Sequence, residues 1–213
     1  MPSNKQAKNS DHLRQALARE AAKIITQEGV RDFQRAKTKA SERLGNSQHG
    51  SLPSNLEIEE AISVFQKTFV LDYEQIVIAQ RQAALTLMRW LSAYTPYLVG
   101  PVLEGTVGVN TPISIHVSCA TVESVIEALD DKNIVLSFSE RRLKINNDFV
   151  FLPTINFEYQ DNEVEVLVFS LRQQHQQPKS KSQNRNMRKV SIKGLQELLS
   201  NSNDPTSETL SDT

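Results

Sequence analysis

The chain has one cysteine in 213 residues, Cys119, which excludes an intramolecular disulfide framework and a cysteine-based zinc cluster. Cys119 closes an apolar strand-like run, where a small buried hydrophobe is the simplest reading. No run approaches the ~20 apolar residues of a membrane-spanning helix, so no membrane partner is expected. The opening residues, MPSNKQAKNSDHLRQ, lack the apolar core of a signal peptide, and a cytoplasmic location is the resulting expectation. The net charge is −1, too small to steer the whole protein toward a polyanion or a lipid surface. There is no Walker-type phosphate loop and no G-x-S-x-G elbow. No aromatic-plus-basic pattern of an RNA-recognition sheet is legible either. His12, His49 and His175 sit in polar segments without metal spacing.

What is present divides into two textures. Residues 1–9 are polar and are expected to be flexible. From 10 to 95 the apolar residues fall at helical spacing. Leu13, Leu17, Ala21, Ile24 and Ile25 line one face of a first helix, with Gly29 as its stop. VRDFQRAKTKASERLG makes a second, whose other face repeats Arg31, Arg35, Lys39 and Arg43 at four-residue spacing. That row reads first as a solvated face and second as a phosphate-contacting surface. Ser54 and Glu57 form a capping-box pattern ahead of a third helix. The fourth and longest runs from Asp72 to Thr95-Pro96, where proline ends it, and its Trp90, Leu87, Met88 and Leu91 read as core. Four helices with short connections predict a helical bundle.

From 96 to 171 the texture is that of strands. The spacing predicts strands near 98–104, 113–118, 134–139, 141–146, 149–159 and 163–170, with one helix at 121–131. NND after Ile145 and QDNE after Tyr159 read as hairpin turns, and Arg141-Arg142 as a hairpin feature. Residues 172–190 are polar to basic and read as a flexible loop. A short helix at 191–200 could dock by Ile192, Leu195, Leu198 and Leu199, and 201–213 is expected to be disordered. The expected class is α+β, an N-terminal helical bundle followed by a mixed β-sheet domain.

Within the second part, LVGPVLEGTVGVNTPISIHVSC sets two strand-like runs on either side of a Gly-Thr pair. This layout resembles the core of the nucleotidyltransferase superfamily of the DNA polymerase β type. More narrowly, AREAAKIITQEGVRDFQRAKTKASERLG, LPSNLEIEEAI and LVGPVLEGT resemble a group of proteobacterial proteins of that fold with a degenerate metal site. The resemblance covers roughly residues 13 to 199. It implies that Gly105, Thr106 and Gly108 face a triphosphate, where glycine lets backbone amides approach phosphate oxygens. It implies that Pro112, Ser114 and Glu165 stand at the positions of three carboxylates that hold two Mg²⁺ ions in the active family. Pro112 and Ser114 carry no carboxylate, and one glutamate cannot replace three. Glu104, Asn110 and His116 are the neighbours able to supply a further oxygen or nitrogen; His116 itself reads first as a hydrogen-bonded sheet histidine.

The resulting expectation is a nucleotidyltransferase-like protein without catalysis, acting as a nucleotide-binding or interaction module. No cofactor is implied unless the chain is active, in which case Mg²⁺ would serve an arrangement of Glu165 with Glu104 or Asp148. A nucleic-acid-binding adaptor, using the basic helix face and the 172–193 segment, is the third reading and is not favoured. The oligomeric state stays open at this point.

Overall fold

The computed structural model describes residues 4–30, 32–45, 52–69, 71–108, 111–145, 148–174, 176, 178–179 and 186–202. Arg31, Asn110, His175 and the tail beyond Ser202 lie outside the described residues. The fold is α+β, with helices leading and a mixed six-stranded sheet following. The chain divides into two compact units. One takes Met1–Tyr73 with Gly105–Thr111; the other takes Glu74–Glu104, Pro112–Lys179 and the chain from Asn186. The division assigns nearly all of the fourth helix to the sheet unit rather than to the expected bundle at 10–95.

In the first unit, helices α1 (Asn4–Glu28), α2 (Phe33–Arg43) and α3 (Asn55–Phe69) pack around Leu17, Ala21, Ile24, Ala36, Ala40, Ile58 and Ile62, all essentially buried. Alanines at the α1–α2 contact bring the two helix backbones close without loss of side-chain entropy. The helix α1 starts upstream of Ser10, because Lys5, Gln6, Ala7 and Lys8 are strong helix formers. The capping box forms: Ser54 N–H donates to the Glu57 carboxylate at 2.7 Å, and Glu57 N–H donates to Ser54 Oγ at 3.1 Å.

The second unit carries helix α4 (Tyr73–Trp90, the unit holding it from Glu74), strand β1 (Tyr97–Val99), a single turn α5 (Pro101–Glu104), strand β2 (Ile113–Cys119) and helix α6 (Val122–Asp130). Strands β3 (Ser137–Ile145), β4 (Asp148–Tyr159), β5 (Asn162–Ser170) and β6 (Lys189–Val190) and helix α7 (Ile192–Ser202) complete it. The strand order is β3-β4-β5-β2-β1-β6, and β2 with β5 is the parallel pair. One sheet face buries Ile113, Ile115, Val117, Ile155, Val164, Val166 and Val168. Trp90 of α4 meets Tyr159 edge-on at 5.0 Å, and Gln80 donates to the Asn162 side chain. Trp90 itself is half-buried, with Lys132 over its ring, whereas Leu87, Met88 and Leu91 are fully buried.

Several elements differ from the sequence expectation. The run 98–104 is a three-residue strand followed by a helical turn, not one strand. Gly100 at φ +74 turns the backbone, and Pro101, whose missing N–H costs nothing at a helix start, opens the turn. The two strands expected at 134–139 and 141–146 are one strand, β3, because Glu140 sits on an exposed face and breaks nothing. The 172–190 segment is tied down at the described points. Lys179 bridges Asn186, Lys179 N–H donates to the Lys144 carbonyl, and β6 pairs with β1. Main-chain bonds satisfy the β1 edge whatever the side chains, so polar composition does not exclude a strand there.

Candidate functional site

The residues singled out by the sequence fall in different units. Gly105, Thr106 and Gly108 belong to the first; Pro112, Ser114, His116 and Glu165 belong to the second. Each set has its own surroundings.

Around the glycines, the backbone groups are used internally. Gly105 adopts φ +72, a left-handed conformation that glycine accepts without strain. The buried Tyr73 hydroxyl accepts from the Val107 N–H at 2.8 Å. It also lies at donating distance from the Gln66 side-chain oxygen (2.6 Å) and the Gly105 carbonyl (2.8 Å). Gln66, 1% exposed, donates its amide to the Val107 carbonyl. Gly108 N–H donates to Thr111 Oγ at 2.7 Å. A Cβ on Gly108 would stand 3.4 Å from the Thr26 Cα of α1, so its smallness serves packing against that helix. The amides of Val107 and Gly108, which a phosphate would need, are already donating. None of this Tyr73–Gln66 clasp was legible as a unit, since its members are spread over 42 residues, from Gln66 to Val107.

In the second unit, parallel pairing sets Ser114 directly opposite Glu165, and His116 opposite Leu167. Ser114 is buried, and its Oγ lies 3.5 Å from the Glu165 carboxylate. The principal partner of that carboxylate is the guanidinium of Arg141, which forms a tight ion pair with it. Arg141 reaches it from β3, across β4. Ser139 and Thr154, which face each other across those two strands, are small enough to leave it room. Arg141 and Arg142 sit mid-strand in the β3–β4 hairpin and project to opposite faces, so they do not act as a pair.

His116 shares the face of Ser114 and Glu165, only 9% exposed, with its ring 4.9 Å from Phe169. A cavity of about 20 Å³, room for a single water, is lined by Tyr97, His116, Ser118, Phe169, Gln174 and Met187 among others. Burial first, then the positive charges of Arg141 and Lys189, push the imidazole down to about 3, so it is neutral at any ordinary pH. Cys119, 5% exposed, has its thiol pushed up by burial, in keeping with a packing role.

The remaining acids do not gather. Glu104 is ion-paired with Arg188 at 3.0 Å. Asp148 lies eight residues along β4 from Asn156, the residue opposite Glu165, which is about 27 Å of extended strand. Among the described residues no group of three or more His, Cys, Asp or Glu side chains is placed to hold a metal ion. The donor set at Ser114 and Glu165 does not fit a Mg²⁺ pair, because a guanidinium already neutralises the one carboxylate present. The basic helix row is also spoken for in part. Arg43 bridges Glu20 and Glu28, and Lys39 pairs with Glu28, whose carboxyl is held low by those two cations.

Comparison of the chain with protein-family models, with curated proteins and with solved structures gives no match. Among the described residues no helix is long and apolar enough to cross a membrane.

Two outcomes follow. Below its ordinary value of 6.5, His116 takes up a proton in the unfolded chain but not in the native one. Stability should therefore fall as pH drops from about 6.5 toward about 3, with a slope of up to about 1.4 kcal/mol per pH unit. Urea unfolding across that range should show a shallower decline in His116→Gln. Tyr73→Phe leaves the buried Val107 N–H without its acceptor and should cost about 1–3 kcal/mol in the same measurement.

Proposed function

We propose that this chain is a nucleotidyltransferase-like protein that has given up metal-dependent transfer and works as a binding or interaction module. The observation that carries the reading is the Arg141–Glu165 ion pair. Where the resemblance calls for three carboxylates around two cations, this chain has a proline, a buried serine and a glutamate whose charge is met by an arginine. A guanidinium on that carboxylate is a fixed substitute for metal charge: it balances Glu165 but cannot activate a hydroxyl or polarise a phosphoryl oxygen as Mg²⁺ does. The internally bonded amides of Val107 and Gly108 favour the interaction half of the reading over a phosphate cradle.

The competing reading, an active transferase using Glu165 with Glu104 or Asp148, has against it the separate partner of Glu104 and the distance to Asp148. Incubation with radiolabelled nucleoside triphosphates and Mg²⁺ or Mn²⁺ separates the two. No labelled product above background, in the unaltered protein and in Glu165→Ala alike, is the expected result. Robust transfer that disappears in Glu165→Ala would overturn the proposal.

A further inference from the structure

The sheet face opposite Glu165 and His116 is covered by helices only over part of its area. At the β3–β4 end it is open. Phe138, Phe149 and Phe151 are 62%, 57% and 61% exposed there. Three phenylalanines this far in solvent on one hairpin face are a patch that folding alone does not require. The antiparallel register places a cation directly across from two of them: Lys144 faces Phe149 and Arg142 faces Phe151. The Arg142 guanidinium also lies over the Phe149 ring, 3.7 Å from its centre. Phe149 and Phe151, two residues apart, project side by side about 7 Å from one another. One acid, Glu140, stands on the same face opposite Pro153, between the cationic pair and Phe138.

From this arrangement we propose that the β3–β4 face binds single-stranded nucleic acid, with bases stacked on Phe149 and Phe151 and backbone phosphates met by Arg142 and Lys144. Exposed rings alternating with cations across a strand pair match the two repeating chemistries of a single strand, a flat apolar base and an anionic phosphate. A duplex hides its base faces in its own stack and offers these rings nothing. The Arg142 plane already on Phe149 leaves the other ring face for a base, as guanidinium–ring stacking permits. The proposal is independent of the reading of Ser114, Arg141 and Glu165, which lie on the other face of the sheet.

The test is fluorescence anisotropy of the full chain with a labelled oligouridine of about eight nucleotides and with a duplex RNA of the same length, at about 50 mM salt. Tighter binding of the single strand is expected. The pair Phe149→Ala and Phe151→Ala should weaken it by about tenfold or more, with an unchanged circular dichroism spectrum because both rings are exposed. Arg142→Gln with Lys144→Gln should reduce the slope of log affinity against log salt by about 1.4. Glu140→Lys should tighten binding. Absence of binding, equal binding of the duplex, or indifference to the phenylalanine substitutions would overturn the proposal. So would concentration-dependent dimerisation in sedimentation that vanishes in the phenylalanine variant without oligouridine binding, which would make a second copy the occupant.

Discussion

Parallel pairing of β2 with β5 is the constraint on which the sheet unit depends. It fixes the register that sets Ser114 against Glu165 and sends Ile113, Ile115, Val117, Val164, Val166 and Val168 to the helix-covered face. A slip of one residue in β5 would turn its side chains over, sending Glu165 to the apolar helix-covered face and the valines to the polar one. The pairing also leaves Glu165 as a carboxylate on a largely covered face, 19% exposed, where an unmatched charge is costly. Arg141 supplies the match. Its reach across β4 ties the edge strand to the centre of the sheet, so the interaction that occupies the candidate site is also one that braces the fold. The same cation contributes to holding His116 neutral, which couples the polar end of the face to its small cavity.

The two sheet faces consequently carry different chemistry. On one, Glu165 pairs with Arg141, Ser114 lies beside Glu165, and the His116 ring packs against Phe169. On the other, at the β3–β4 end, apolar rings and cations are left to solvent.

Much of the local architecture was legible in the sequence, for reasons that are themselves local. Ser54 and Glu57 lie three residues apart and meet as a capping box; Gln160 and Asp161 turn the β4–β5 hairpin with φ of 48° and 59° in a stretch rich in turn formers. That Ser114 stands opposite Glu165 is set by the register of β2 against β5. What was not legible depends on register between distant segments. Arg141 reads as half of an Arg-Arg pair until β3 is known to be one continuous strand whose alternate residues face opposite ways. The Phe149–Lys144 and Phe151–Arg142 facing pairs are invisible along the chain because an antiparallel hairpin reverses the order of its two halves. The internal bonding of the Val107 N–H and carbonyl depends on Tyr73 and Gln66, which no short motif links to it.

Arg141 neutralises Glu165 where a metal ion would otherwise be needed to do so. Paramagnetic line broadening in the amide NMR spectrum during titration with Mn²⁺ tests it most directly, because Mn²⁺ takes the oxygen ligands that Mg²⁺ would. The amides of Ser114 and Glu165 should keep their intensity at about millimolar Mn²⁺, a concentration sufficient to occupy weak carboxylate sites. Selective loss of those two signals and their sheet neighbours at that concentration would contradict it.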